Sequence, residues 1–564
     1  MEFALDASEA ELLKKYSYND VFEDSASLMD ELYILVEIIR EDGFLLANID
    51  SITRNNAIFR AFVTMGSQYK WVKLRRGNVP DAMLDRAGFK EKYFDGKEVS
   101  LKELNNMRKG LITYAENNGY PFASVVLDSF ELDESHISAS LFMTPGSQIY
   151  FDSLIVVGEV KVKREFLTSY LKMNRKSLLG KQRSPKLFNQ NLIDAVEEKI
   201  ILTPYLKMTA PPSVIFEHQK AFVKLYLEDE KASEIDGVVG LLPNTGNDNS
   251  LKITGQFLVS LYNPFGTGKK IYARWQHVKA ASPVYELEYL HPDLLRTGVD
   301  VSFKLNSLKE DSTFNTIAWS AGLGYPLGNR AYVRFFYESL SSNVLQEEGF
   351  QVAGALLPQR TKTSINSYGV SYAYTSLDDL YFPKKGLSVD LEVQLGSKNI
   401  IPNPEFADSV YAGLIPNTTQ LGAKGEMKKY FGLGKYFSVL YRNKTGGLLN
   451  EQLFLNDLYR VGGLASLRGF NENQFFTSFY SVNTLEFQAH FERQSLFFLF
   501  ADQAFITTKT TEGNETDQPL GIGAGMAFST KSGIFTLVYS IGQTKSESFN
   551  FSASKIHFGL TNRF

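Results

Sequence analysis

The chain has 564 residues, 44% apolar and 22% charged, with a formal net charge of −4 and no cysteine. The slightly acidic balance argues against a polyanion-binding surface, so nucleic acid is not expected as a partner, and the lack of cysteine excludes disulfides and thiol chemistry, no loss in an oxidising periplasm. No run of about 18 apolar residues is present, so no helix can span a bilayer; a membrane location would require a closed β-barrel, because lipid offers no partner to an open strand edge.

In chain order, the start Met1-Glu2-Phe3-Ala4 lacks the basic segment and apolar stretch of a secretory signal peptide. An exported chain needs one, so this reads as a mature form with a start methionine supplied. Residues 1 to 231 show helical periodicity and a repeat. Residues 62 to 69 (Phe-Val-Thr-Met-Gly-Ser-Gln-Tyr) and 142 to 150 (Phe-Met-Thr-Pro-Gly-Ser-Gln-Ile-Tyr) each end one unit and open the next. Upstream of each, an amphipathic helix closes on glycine and an aromatic: Leu35 to Asp42 then Gly43-Phe44, and Met107 to Asn118 then Gly119-Tyr120-Pro121. A third, less exact copy runs Asn191 to Leu202, then Thr203-Pro204-Tyr205. Two strand-like runs follow each copy, such as Ala123 to Phe130 with Ile137 to Thr144. The unit is strand, helix, helix, strand, strand, and the expected boundaries are 1–68, 69–148 and 149–231. A single α+β domain with internal echoes is the alternative.

From about residue 232 the period changes to two. Residues 251 to 261 set Leu251, Ile253, Phe257, Val259 and Leu261 against Lys252, Thr254, Gln256, Leu258 and Ser260. Val299, Val301, Phe303 and Leu305 alternate with Asp300, Ser302, Lys304 and Asn306, and Leu387 to Leu395 repeat the device. The last strand places Ile556, Phe558, Leu560 and Phe564 against Lys555, His557, Thr561 and Arg563. A soluble β-sandwich also alternates. Long strands, 13% aromatic residues and a final strand with one apolar face point instead to a transmembrane antiparallel β-barrel over 232–564, with about sixteen strands. One rim carries tight turns at Gly432-Leu433, Glu492-Arg493-Gln494 and Ser532-Gly533; the other carries the long segments 341–362, 397–417 and 447–475. Short turns face the periplasm and long loops the outside.

Three such repeats before a barrel resemble POTRA domains, and the whole arrangement resembles the BamA/TamA superfamily of outer-membrane insertases. The barrel carries further likenesses: Tyr262-Asn263-Pro264-Phe265-Gly266-Thr267-Gly268 is similar to the family's first periplasmic turn, and Phe382-Pro383-Lys384-Lys385-Gly386 to its mid-barrel Pro-x-x-Gly turn. Val461-Gly462-Gly463-Leu464-Ala465-Ser466-Leu467-Arg468-Gly469-Phe470, in the long loop before the twelfth strand, is similar to the family's sixth-loop motif, whose Arg-Gly-aromatic tip folds into the barrel. Leu467 stands where valine is commoner. Gly462, Gly463 and Gly469 suit the sharp turn such a loop needs. The fork of donors on Arg468 seeks carboxylates. Glu486 and Asp502, on the expected inner face of the next strands, match the family's acidic partners; a solvated Arg468 beside ordinary lumen acids is the alternative.

Elsewhere, His136, His218, His277, His291, His490 and His557 have no metal-site spacing. Gly521-Ile522-Gly523-Ala524-Gly525 lacks the Lys-Ser/Thr of a phosphate loop; such glycines in a strand admit another backbone or let the sheet bend. No cofactor and no catalytic constellation is expected. The seam between the first strand, short and bearing Gly237, Val238 and Gly240, and the last, bearing Phe558, Gly559 and Phe564, should be the weakest junction. The resemblance implies a Gram-negative outer-membrane assembly factor whose periplasmic repeats receive unfolded β-barrel clients. It further implies outer-membrane lipids and, in the TamA-like form that three repeats favour, a large periplasm-spanning protein as partners. A two-partner-secretion transporter and a passive porin are the alternatives.

Overall fold

The structure is a computed structural model that describes residues 2–4, 7–22, 24–55, 58–173, 186–243, 251–277, 282–310, 313–345, 349–352, 355–358, 360–402, 411–492, 494–530 and 533–563. The chain divides into two compact units, one of 1–153, 185–193 and 214–222, the other of 154–184, 194–213 and 223–564.

In the first unit the helix Ser25–Glu41 starts where the Asp24 carboxylate accepts the Ser27 amide at 2.7 Å. It buries Leu28, Leu32, Leu35, Val36 and Ile39 on one stripe. The helix Leu101–Glu116 repeats the design with Ser100 as cap and Leu104, Met107, Leu111 and Ala115 buried. Each helix ends before a glycine of positive φ, Gly43 at 97° and Gly119 at 92°. The two glycine carbonyls do the same work: Gly43 accepts the Tyr69 amide at 3.0 Å and Gly119 the Ile149 amide at 2.7 Å. The repeated Gly-aromatic closure and Gly-Ser-Gln junction of the sequence therefore meet, each helix end receiving the start of the next repeat. The sheets share one topology. Glu2–Ala4 lies parallel to the central strand Ile58–Thr64, with Asn48–Asn55 antiparallel on its other side. Lys70–Arg75, His136–Thr144 and Ser124–Asp133 take the same places in the second repeat. A third sheet orders Tyr150–Val157, Lys220–Asp229 and Leu206–Glu217 likewise, with the helices Arg164–Tyr170 and Gln190–Ile201 between its first and second strands in sequence.

The second unit holds a closed antiparallel barrel. Its successive strands are Glu234–Pro243, Leu251–Tyr262, Lys270–His277, Val284–His291, Asp300–Glu310, Phe314–Leu327, Ala331–Val344, Lys362–Thr375, Gly386–Ile401, Asn417–Leu433, Phe437–Leu449, Phe479–Glu492, Ser495–Lys509, Leu520–Thr530, Gly533–Gln543 and Lys555–Arg563. A short segment, Asn514–Asp517, pairs with the upper end of the thirteenth strand and continues the line of the fourteenth. Pro519, which has no N–H, separates the two pieces. Among the described residues the barrel thus has sixteen staves.

Alternation sorts their side chains. On the twelfth strand Tyr480, Val482, Thr484, Glu486, Gln488 and His490 are buried, whereas Leu485 is 58% and Phe487 44% exposed. An exposed apolar band on the outer face is the surface lipid covers. Much of the inner wall is a mixed-charge lattice, with Arg274–Glu286 at 2.6 Å, Lys304–Glu288 at 3.2 Å, Arg334–Glu392 at 3.2 Å and Arg442–Glu426 at 2.8 Å.

Three details differ from the sequence expectation. The turn placed at Gly432-Leu433 lies at residues 434 to 436, because Gly432 and Leu433 still pair with Ser438 and Phe437. The twelfth strand starts at Phe479: Phe475–Thr477 instead pairs with Tyr459–Val461 as a small hairpin inside the loop. The first strand is not short; it covers ten residues, against eight for the third and fourth. Its distinction is pairing, described below.

The third repeat meets the barrel rim within the second unit. The Gly266 carbonyl accepts the Lys163 amide at 2.7 Å, and a Cβ at Gly268 would collide with the Phe166 ring. The Arg330 guanidinium bonds Glu198 at 2.6 Å, and this hydrogen bond holds the Glu198 carboxyl below its ordinary value.

Candidate functional site

The loop between the eleventh and twelfth strands runs from 450 to 478 and turns back into the lumen. At its outer end Leu455–Asp457 form one 3-10 turn, with the Asp457 carboxylate accepting the Phe454 amide at 2.8 Å. Asp457 also pairs with Lys398 of the ninth strand, both side chains fully buried. The Lys398 ammonium donates to the Gln452 carbonyl at 2.8 Å and lies 4.9 Å from the Phe454 ring centre. Asn456 donates to Ser342 Oγ and the Thr361 carbonyl, each at 2.9 Å. Deeper, Arg460 pairs with Glu310 and lies over the rings of Phe314 and Phe476.

At the tip, Ser466 Oγ accepts the Gly462 amide and donates to the Gly462 carbonyl, both at 2.8 Å, closing a tight bend. Leu467 is fully buried beside Val461, Phe470, Tyr480, Val482, Ala504 and Ile506. The departure from valine therefore fills a packed site. Arg468 then reaches both expected acids. Its Nε and Nη2 grip Asp502 Oδ2 and Oδ1 at 2.8 and 2.7 Å, and its Nη1 donates to Glu486 Oε2 at 2.8 Å. The Arg468 amide adds a 3.1 Å bond to Asp502, and Thr484 Oγ1 donates to the same carboxylate at 2.7 Å. The guanidinium lies 3.4 Å from the Phe500 ring centre. Arg468, Glu486 and Asp502 are 8%, 7% and 1% exposed. Burial makes each partner costly to leave alone.

The floor beneath the tip was not legible as such in the sequence. Gly521 and Gly542 face each other across the fourteenth and fifteenth strands. A Cβ at Gly521 would overlap the Arg468 carbonyl, and one at Gly542 would collide with the Phe470 ring. Gly469, with φ of 93°, brings its own backbone against Ile541. Gly523 and Gly525 make room for the rings of Phe500 and Phe498. Of the alternate glycines, Gly521 does admit another backbone, and that backbone is the loop tip. No sequence signal marked Lys398, Asn456 or Asp457.

Phe382 from the Pro-x-x-Gly turn is buried with Leu496, Phe498, Phe500 and Val538. Phe500 is thus shared between this plug and Arg468.

Among the described residues, two positions pair across the first and last strands at the seam, Glu234 with Arg563 and Ile235 with Asn562, and every other junction pairs at least seven. Gly237, Val238 and Gly240 pair instead with Phe257, Gln256 and Thr254 of the second strand, and Phe558 and Gly559 with Leu537 and Thr536 of the fifteenth. Phe564 lies outside the described residues. Among the described residues no cluster of His, Asp and Glu could hold a metal ion.

A profile of the Omp85 superfamily domain matches residues 263–564, more than half of the chain. The chain belongs to the Omp85 superfamily. This is the superfamily to which the repeats, the glycine turns and the loop motif had pointed. Among solved structures, CdiB from Escherichia coli superposes with a TM-score of 0.54 at 11% identity, all of each chain covered. CdiB from Acinetobacter baumannii gives 0.53 at 13% identity, with 96% of this chain and all of that one covered. BamA from Haemophilus ducreyi lacking POTRA domains 1-3 gives 0.43 at 14% identity, with 88% and 99% covered. Such identities show likeness of fold alone, and the BamA superposition is too loose to argue from. No curated protein matches the sequence. An Omp85 barrel belongs in an outer membrane with its N-terminal α+β domains in the periplasm.

Proposed function

We propose that this Omp85 protein receives unfolded β-barrel chains at its periplasmic repeats and inserts them into the outer membrane of a Gram-negative cell through the seam between its first and last strands. The observation that carries this reading is the two-position ladder at that seam, set in a barrel whose other junctions are long. Backbone groups freed there offer an edge on which an incoming strand can pair. The tip of the inward loop lies against the fifteenth strand, the hydrogen-bonded neighbour of the last, so loop and seam share a wall. Its partners under this reading are outer-membrane lipids, unfolded barrel chains and, in a TamA-like role, a large periplasm-spanning protein. The role is non-enzymatic. Residues 1–68, 69–148, 149–231 and 232–564 are its proposed domains, supported by the three sheets of shared topology.

Secretion of a polypeptide through the lumen is the second reading, favoured by a cavity of about 820 Å³ beside the loop, with the charged side chains of Arg274, Glu286, Glu338, Lys424 and Lys444 among an otherwise mixed lining. A seam lock separates the two. The register pairs positions whose numbers sum to 797, as in 234 with 563 and 235 with 562; continued, it sets Val238 opposite Gly559. Val238→Cys with Gly559→Cys, oxidised, should leave the barrel folded and stop client insertion until reduced. Normal insertion by the locked protein would overturn the seam reading, and export that persists through the lock would favour the lumen.

A further inference from the structure

Glu486 holds Arg468 with one carboxylate oxygen, and its other oxygen starts a chain of hydrogen bonds that leads away from the loop. Gln488 Nε2 donates to Glu486 Oε1 at 2.8 Å. Ser438 Oγ, on the eleventh strand, donates to Gln488 Oε1 at 2.9 Å. His490 Nε2 stands 2.8 Å from the same Ser438 oxygen. Gln488, Ser438 and His490 are all at most 5% exposed. Ser438 and Gln488 are direct cross-strand partners, and the His490 amide donates to the Tyr436 carbonyl in the turn between the tenth and eleventh strands. The chain thus runs from the loop tip to the rim at which the first barrel strand begins.

Its polarity follows from donor and acceptor chemistry. An ionised carboxylate only accepts, so Gln488 must point its NH₂ at Glu486 and its carbonyl at Ser438. Ser438 has one proton, and only its donation to Gln488 avoids two bare oxygens in contact. The Ser438 oxygen is then left as acceptor, so His490 must carry a proton on Nε2. In the neutral ring Nδ1 is then bare, and among the described residues it has no hydrogen-bond partner. Each link has one proton and one lone pair, and reversing any link places like atoms face to face. Lys384 and Asp378, from the turn before the ninth strand, act on the imidazole through their charges.

We propose that Gln488, Ser438 and His490 are positioning residues for the loop-tip ion pair: they aim Glu486 at Arg468 and couple the seating of the loop to the imidazole at the barrel rim. If the guanidinium leaves, Glu486 is free to turn, Gln488 loses the acceptor that fixes its amide, and the Ser438 proton is no longer directed away from His490. By reciprocity, whatever fixes or frees the His490 ring biases the seating of Arg468. A periplasmic client or repeat touching this rim would then be sensed at the loop without reaching it. The coupling does not depend on whether clients leave through the seam or the lumen.

The test uses the full chain in lipid vesicles, isotope-labelled at histidine. The sequence has six histidines, so the signal lost in His490→Asn identifies the ring. Magic-angle-spinning NMR should show an Nε2–H, bare-Nδ1 tautomer with slow exchange of the Nε2 proton. Arg468→Ala, with Arg468→Lys as a milder second variant, should move the His490 ring signals, speed that exchange and leave histidines outside the chain unshifted. Ser438→Ala should disconnect the two ends, so that adding Arg468→Ala produces no further shift at His490, whereas Ser438→Thr, which keeps the hydroxyl, should restore the response. The chain has no native cysteine, so maleimide labelling of Ala465→Cys reports loop seating separately. An Nδ1–H tautomer in the native protein would overturn the proposal. So would His490 signals that stay fixed while Arg468→Ala raises labelling at the loop tip.

Discussion

The carbonyl oxygen of Arg468 rests on the Cα of Gly521, in a space where a methyl group cannot fit. The loop is therefore held by shape beneath as well as by charge at its sides. Gly521→Ala should lift the tip without touching the ion pair chemically. Overpacking of this kind costs about 1–3 kcal/mol, seen as a lower unfolding temperature of the barrel and faster maleimide labelling of Ala465→Cys. Gly513, with open space around its Cβ position, is the control, and Gly513→Ala should change neither.

Arg468→Ala leaves Glu486 and Asp502 buried and facing each other's charge. Removing one partner of such a group costs about 3–5 kcal/mol. The loop should become labile to added protease and client assembly should fall, whereas alanine at the exposed Lys509 should leave both unchanged. Equal effects of the two substitutions would remove the case for a tip lock.

The outer pair should behave differently from the tip. Lys398→Met or Asp457→Asn each strands a fully buried partner and should cost about 3–5 kcal/mol. Lys398→Met combined with Asp457→Leu removes both charges and should cost less than the sum of the single substitutions. With Arg468 intact, cysteine labelling near residue 455 should rise in the single variants before labelling at residue 465 does, since the two anchors grip different walls.

The Glu198–Arg330 contact gives a pH dependence. The hydrogen bond from Arg330 holds the Glu198 carboxyl below its ordinary value. A depressed carboxyl contributes stability above its unfolded pKa and loses it as pH falls through the folded one. The contact should thus be intact at neutral pH and weaken only at and below the usual carboxylate range. The pair is partly exposed, so its worth is about 0.2–1 kcal/mol. Spin labels on the helix Gln190–Ile201 and the turn at 328–330 should show a broader distance distribution at acid pH. Glu198→Gln should show that breadth already at neutral pH.

Period and local turn chemistry carried much of this protein into the sequence. Alternation at Leu485-Glu486-Phe487 assigns inner and outer faces before any strand is paired, because a strand's side chains can point only two ways. The helix-Gly-aromatic closures mark where each repeat hands over to the next, because positive φ is a local demand. Arg468, Glu486 and Asp502 were legible chiefly through the likeness of the loop motif to the family's inward-folded tip, with the strand period placing both acids on the expected inner face. What only the tertiary structure decided depends on which distant backbones touch. The floor under the tip joins residue 468 to 521 and 469 to 541; the outer anchor joins 398 to 457; the rim chain joins 438 to 488 and 490. The shortness of the seam ladder among the described residues likewise resides in the pairing of residues 234 and 235 with 562 and 563, not in the length of the first strand. Register and loop return are settled by closure of the whole sheet, and no window of sequence contains both sides of those contacts.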